Sequence, residues 1–141
     1  MLNGATLNGN ANGLYTRLLF FEGFMSKNTE RTLKYLRNEG YIAEVVERFI
    51  AFPPPHGHRK DFLGIIDIIA FNEVVTLGVQ SCGQAFAAHL KKMNESEMTP
   101  RWLESVDREL WLIGWRKLKV KRGGKLKVWK PRIQIFEREN A

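Results

Sequence analysis

Two polar residues interrupt the most apolar stretches of the sequence. Asp67 lies within the run FLGIIDIIAF (62–71), and Gln80 ends the run VVTLGVQ (74–80). Both runs predict buried strands, and the short turn between them predicts a hairpin that brings Asp67 and Gln80 towards one point. Because a buried carboxylate needs an ion pair or a metal, these two oxygen donors predict a divalent-cation site. An ion pair between Asp67 and a neighbouring Arg or Lys explains the pattern equally well.

The flanking sequence predicts a single α/β domain that positions this pair. An opening helix is expected over 28–38, capped by Asn28 or Thr29 and followed by a left-handed Gly40. The other predicted elements are, in order, a strand over 41–50, a proline-rich loop over 52–60, the two buried strands, a helix over 84–93, a short helix over 99–105 with Thr99 as its N-cap, and strands over 110–120 and 125–136.

Composition bears on the partners and the compartment. The chain has 141 residues and a net charge of +7, which favours an anionic partner, above all phosphate. Cys82 is the single cysteine, so no intrachain disulfide can form and a cytoplasmic location is expected. No apolar run is long enough to span a bilayer, and no membrane partner is expected. Residues 1–24 predict a flexible or partner-contacting N-terminal extension to a domain over 25–141.

The last predicted hairpin is strongly cationic. Between Arg116 and Arg132 there are nine Lys or Arg residues and no acidic residue. Lysines alternate with apolar residues on both strands, which predicts one cationic and one buried face. For the lysines to share a face, Lys121 must oppose Lys125 across the odd-length loop 122–124, with a left-handed glycine.

A polyphosphate partner would relieve the repulsion between lysines that face each other in this hairpin. An edge hairpin that uses lysine to avoid aggregation is the alternative. The predicted nucleic-acid-binding residues are Arg59, Lys60, Lys117, Lys119, Lys121, Arg122, Lys125 and Lys127.

The order of these elements carries a family resemblance. The segments RKDFLGIIDIIAF, TLGVQSCG and LWLIGWRK, after the opening TERTLKYLRNEGYIAEVVERF, resemble the PD-(D/E)XK nuclease superfamily. Similarity is greatest to its Holliday-junction-resolvase-like and VRR-NUC-like branch of small phage and bacterial proteins. The resemblance implies a restriction-endonuclease-like core, with a central mixed sheet of four to five strands flanked by helices. It also implies Mg²⁺ or Mn²⁺ as cofactor and a nucleic-acid substrate, with DNA favoured over RNA.

The family's site residues can be carried over by position. Asp67 matches the metal-binding Asp, and Gln80 matches the Glu/Gln ligand. The family's lysine, which positions the attacking water and stabilises negative charge, falls at Cys82, whose neutral thiol supplies no cation. Lys92, or its neighbour Lys91, on the following helix is the candidate replacement.

An accessory acid completes the metal site that the resemblance implies. Glu30, Glu44 and Glu47 are candidates, and Glu44 is assigned as the third ligand. Because Glu44 and Glu47 are three positions apart in one strand, they are expected on opposite faces, so at most one points at the site. Asp61 is a further candidate, although a loop-fixing salt bridge is the commoner role for such a residue.

Two functions follow from these assignments. The first is a metal-dependent endonuclease that cleaves branched or junction DNA by attack of water on a phosphodiester. The second is a DNA-binding accessory protein of the same fold that is catalytically weakened or inactive, because Cys82 replaces the lysine. A homodimer is compatible with either function, since two-fold symmetric junctions match a pair of subunits.

Overall fold

The computed structural model describes residues 25–139, so the predicted extension over 1–24 lies outside the described residues. The helices are α1 (Lys27–Asn38), α2 (Phe86–Glu95) and α3 (Met98–Trp102). The strands are β1 (Ile42–Val45), β2 (Arg48–Ile50), β3 (His58–Lys60), β4 (Ile68–Phe71), β5 (Thr76–Cys82), β6 (Arg108–Lys119) and β7 (Lys127–Ile135). Within 25–139, no helix combines the length and the apolar character needed to cross a membrane.

A five-stranded mixed sheet organises the fold in the order β1-β4-β5-β6-β7, and β2 pairs with β3 beside it. Strands β1, β4 and β5 are antiparallel neighbours, and β7 is antiparallel to β6. Strands β5 and β6 are parallel, because the chain between them crosses back through α2 and α3. The predicted α/β class, with a mixed sheet flanked by helices, is confirmed.

Apolar side chains are buried on both faces of the sheet. On one face, here called the α1 face, Leu33 and Leu36 of α1 pack against β-strand residues such as Ile68 and Val79. On the opposite face, here called the α2 face, Phe86 and Met93 of α2 pack with Cys82, Leu110 and Leu112. Burial from both sides explains why β4 and β5 are almost continuously apolar in sequence.

Helix boundaries differ in detail from the predicted ones. Ser26 is the N-cap of α1, and its Oγ accepts a hydrogen bond of 3.1 Å from the Thr29 backbone N–H. Asn28 and Thr29 therefore lie inside the helix, whereas the left-handed Gly40 (φ 97°) is confirmed. Thr99 is not an N-cap, since α3 begins at Met98 and the Thr99 hydroxyl donates to the Met93 carbonyl.

Two predicted strands are shorter than their apolar sequences. The strand expected over 41–50 is divided into β1 and β2, and β3 forms inside the predicted loop. The run over 62–71 begins with a tight turn, where Phe62 and Ile66 exchange backbone hydrogen bonds of 2.8 and 3.0 Å. Leu63 and Gly64 both have positive φ in this turn. Ile65 and Ile66 are nevertheless fully buried, so burial alone made this turn resemble a strand.

The β6–β7 hairpin projects beyond the rest of the sheet. Strand β5 ends at Cys82, opposite Gly114, and β6 continues for five more residues to Lys119, a distance of about 17 Å. Residues 116–130, here called the arm, therefore have no β5 neighbour. Lys119 opposes Lys127, and the Val120 N–H donates to the Leu126 carbonyl.

The tip of the arm has the predicted geometry. The Gly124 N–H donates to the Lys121 carbonyl at 3.0 Å, and Gly123 is left-handed with φ 77°. Continuation of the Lys119–Lys127 register places Lys121 opposite Lys125. The predicted odd-length loop and its glycine conformation are confirmed.

Candidate metal centre

Asp67 is held at the junction of three chain segments. Its backbone N–H donates to the Val79 carbonyl of β5 at 2.9 Å, and its Oδ2 accepts from the Ser81 N–H at 2.9 Å. The side chain is buried, at 4% exposure. Within residues 25–139, Asp67 forms no ion pair with Lys or Arg, so the alternative of a simple buried ion pair is not what the fold builds here.

A β-bulge brings Glu47 to Asp67. The backbone N–H groups of Val46 and Glu47 both donate to the Asp67 carbonyl, at 2.8 and 3.2 Å. Two residues of one segment thus oppose one residue of the other, which breaks the strict alternation of faces. Val46 packs into the core of the α2 face, and the Glu47 carboxylate approaches Asp67 on the same side.

Asp61 reaches the same place through the tight turn at 62–66. This turn folds the chain back, so that carboxylates six positions apart in sequence become neighbours. Single ligand oxygens of Glu47, Asp61 and Asp67 all lie within 4.8 Å of one another. The three carboxylates could hold a metal ion, because hard divalent cations prefer clustered oxygen ligands.

Electrostatic repulsion and burial dominate this acidic group. Burial raises the pKa of Asp67 to about 8, assisted by a hydrogen bond and charge repulsion from Asp61, while the Ser81 N–H opposes the shift. Burial also raises the pKa of Glu47, against the stabilising charge of Arg59 at 3.6 Å. A bound cation would offset both the charge repulsion and the cost of burying the carboxylates. The ionised group is therefore better stabilised with a metal than without one.

Gln80 supplies an independent sign of a missing ligand. Its side chain is 2% exposed, and within the described residues its Oε1 is buried without a hydrogen-bond partner. Gln80 follows Val79, which opposes Ile68 and packs on the α1 face, so Gln80 and Asp67 share the α2 face. An unpaired buried carbonyl oxygen is costly, and a cation beside Asp67 would satisfy it.

The structure places the other three predicted site residues in different surroundings. Glu44, assigned as the third metal ligand, is exposed opposite Ile69 and lies outside the acidic group, because the bulge selects Glu47 instead. Lys92 does reach the group, with its Nζ 3.5 Å from Asp61 Oδ2. Cys82 is buried on the α2 face, and burial together with the charge of Asp67 raises the pKa of its thiol to about 11. The thiol is therefore neutral at physiological pH and supplies no cation.

Sequence reasoning weighed Glu47 and Asp61 but did not select them. A signal for Asp61 was present, because the segment DFLGIID has one acid on each side of a glycine that can form a turn. No local signal revealed the bulge at Val46, since it depends on pairing with Asp67.

Metal-free protein is expected to lose stability as pH rises from about 5 to about 7. Folded Asp67 keeps its proton up to about pH 8, whereas an unfolded Asp loses it near pH 4. The folded state then binds more protons in this window, so the unfolding free energy falls by up to about 1.4 kcal/mol per pH unit. Thermal melting in EDTA across this range measures the slope. Asp67→Asn should flatten it and Glu44→Gln should retain it; equal slopes in the wild type and Asp67→Asn would contradict the raised pKa of Asp67.

Cations lie on both faces of the arm. Lys119 and Lys127 of the arm oppose each other on the α1 face, where the Arg31 guanidinium lies 3.7 Å from the Trp129 ring centroid. These lysines belong to the predicted binding set, yet their alternation places them on the opposite face from Asp67. Of the two predicted cations outside the arm, Arg59 is paired with Glu47, and Lys60 is exposed on β3.

A second set of cations, absent from the predicted binding residues, lies on the α2 face, which also carries the acidic group. Arg116 opposes Lys130, and Arg132 opposes Gly114, the residue beside Cys82. The Arg132 guanidinium lies 4.0 Å from the Phe86 ring centroid on the α2 face. All three cations are exposed. They belong to the nine cations counted in the sequence, but they were not included among the predicted binding residues.

The predicted buried face of the arm is in fact open. Leu118, Val120 and Leu126 are 39%, 56% and 69% exposed. These side chains lie beyond the end of β5, on the face opposite the contact between Arg31 of α1 and Trp129. Comparisons of the chain with protein-family models, with curated proteins and with solved structures gave no match.

Proposed function

We propose that this protein is a divalent-metal-dependent endonuclease of the PD-(D/E)XK type that acts on DNA. One observation carries the proposal: within the described residues, three clustered carboxylates share a sheet face with a buried Gln80 oxygen that has no hydrogen-bond partner, at the end of the sheet from which a cationic arm projects. The order of Asp67, β4, β5 with Gln80, and then α2 is the order that the resemblance implies. Arm cations near the site would hold the phosphate backbone.

The residues present fit a Mg²⁺ or Mn²⁺ ion. Asp67, Glu47, Asp61 and Gln80 offer only oxygen ligands, and three of them are carboxylates. A bound divalent cation would supply Lewis-acid chemistry, acidifying water and neutralising charge on a phosphodiester. Glu47, whose pKa burial raises, is suited to accept a proton as water attacks phosphorus. The P–O ester bond breaks in the same displacement, and the leaving oxygen takes up a proton.

Lys92 would provide the cation that Cys82 cannot. Its ammonium lies 3.5 Å from Asp61 Oδ2 and is half-exposed, so it remains accessible to a substrate phosphate. It comes from α2, one element after the position at which the family has its lysine. Its role would be to stabilise the negative charge that develops on the phosphate oxygens.

Lys92→Gln is expected to lower the rate of metal-dependent cleavage by about 10- to 100-fold, because a positioned charge near the reacting phosphate is lost. The matched control is Lys91→Gln, whose side chain is exposed and pairs with Glu95 at 3.8 Å, away from the acidic group. Single-turnover rates on branched DNA with Mn²⁺ measure the effect. Equal losses in both variants would show that Lys92 acts only through net charge.

The decisive experiment for cleavage compares branched and duplex DNA with Mn²⁺, with Mg²⁺ and with EDTA. Cleavage that requires the metal supports the proposal, whereas intact DNA under all three conditions contradicts it. The second candidate, a DNA-binding protein of this fold that does not cut, is favoured by the neutral Cys82 thiol. It predicts intact DNA together with binding that survives Asp67→Ala.

A further inference from the structure

An apolar strip occupies the end of the arm on the α2 face. Leu118 opposes Val128, and the Val120 N–H donates to the Leu126 carbonyl at 2.9 Å, so these side chains form two successive cross-strand pairs. Leu118, Val120 and Leu126 are largely exposed. A contiguous exposed apolar strip on a projecting ribbon indicates a surface that contacts a partner.

Charge identifies the chemistry of that partner. Arg116 and Lys130 oppose each other at the base of the strip, and no acidic residue occurs from 116 to 132. An apolar protein surface would have to desolvate these cations without pairing them, which is unfavourable. Nucleic acid offers both required features, because phosphates pair with the cations while base faces are apolar.

The direction of the arm relates the strip to the acidic group. Cys82 and Gly114 are paired at the end of β5, and the arm begins just beyond that pair. Asp67 and Gln80 lie at the same end of the sheet and on the same face as the strip. A nucleic-acid strand contacted by the strip would therefore run towards the carboxylates.

We infer that the end of the arm is a wedge that enters DNA at a branch point or duplex end. Leu118, Val120 and Leu126 stack against unpaired bases, and Lys119 and Lys127 on the other face contact phosphates. Apolar side chains that enter a base step separate it in this way, and a two-stranded ribbon has the width of a DNA groove. The inference rests on the proposed function, since it defines the substrate of the same site as DNA with separable base pairs.

The test uses the whole chain in EDTA, with 2-aminopurine placed at the branch point of a three-way DNA or within an uninterrupted duplex. Wild-type protein is expected to raise the fluorescence of the branched probe at least about twofold, because unstacking relieves quenching. The double variant Val120→Ser, Leu126→Ser should abolish most of this rise and weaken branched-DNA binding about tenfold. Its affinity for duplex should change by less than about twofold, because the cations remain.

The matched control is Val74→Ser with Val106→Ser, which removes two apolar side chains outside the arm that are more exposed than Val120 and Leu126, and it should behave as the wild type. A full fluorescence rise in the arm variant, or no rise in the wild type, overturns the wedge. So does a wild-type dimer in sedimentation that becomes monomeric in the arm variant, because the strip would then be an interface between copies. Cleavage with Mn²⁺ but no fluorescence rise refutes only the wedge, whereas a rise without cleavage refutes only the nuclease; absence of DNA binding refutes both.

Discussion

Asp67→Asn is expected to lower metal-dependent DNA cleavage by about 10²- to 10³-fold or more. The substitution removes the carboxylate that lies at the centre of the acidic group and leaves a side chain of nearly the same size. The amide oxygen can still accept from the Ser81 N–H, so the fold should persist. In the absence of metal, the variant should be at least as stable as the wild type near pH 8, because no charge is buried at position 67.

Two measurements separate this effect from misfolding. Mn²⁺ should raise the melting temperature of the wild type and should have little effect on Asp67→Asn, since binding to the folded state stabilises it. Glu44→Gln is the matched control, because Glu44 is an exposed carboxylate outside the group; it should keep both cleavage and stabilisation by Mn²⁺. Equal cleavage by wild type and Asp67→Asn would refute the metal centre as the active site.

Neutralising three arm lysines is expected to weaken DNA binding about 100-fold at moderate salt. In Lys119→Gln, Lys121→Gln, Lys125→Gln, three phosphate contacts and their counterion release are lost. The slope of log affinity against log salt should therefore decrease by about 3. Fluorescence anisotropy with a duplex between 50 and 300 mM salt measures both quantities.

The control for this variant has the same change in net charge. Lys27, Lys34 and Lys91 are exposed on α1 and α2, outside the arm, and their replacement by Gln should change the affinity by less than about threefold. If the two triple variants lose affinity equally, binding depends on overall charge rather than on the arm. If the arm variant binds as the wild type does, the arm is an edge hairpin whose lysines prevent aggregation.

The proton bound by the acidic group affects both the metal affinity and the stability of the fold. With the pKa of Asp67 raised to about 8, metal binding at neutral pH must displace a proton, so metal affinity should increase with pH. The same metal-free group destabilises the fold as pH rises, because Asp67 is then ionised without a counterion. The folded protein is thus less stable without metal than with metal bound, which is common for a preformed binding site.

Much of the fold followed from periodicity in the sequence. The long apolar runs at β4 and β5, the alternation in β6 and β7, and the glycines at positions 40 and 123 are local patterns with direct structural meaning. They were sufficient for the helices, the β4–β5 hairpin and the register of the arm, but not for the division into β1 and β2 or for β3. Asp67 and Gln80 also emerged as polar residues in buried strands, and both lie on one face of the sheet.

The sequence by itself determined most of the elements that form, and which polar residues must be explained in a buried sheet. Only the tertiary structure decided which acid joins Asp67, because the bulge at Val46 and Glu47 depends on one carbonyl of a neighbouring strand. It also decided that Asp61 folds back to the site and that the apolar side of the arm stays open beyond β5. Alternation along a strand determines which side chains share a face of that strand. Contacts between segments distant in sequence determine which strand faces pack against each other and which remain exposed to solvent.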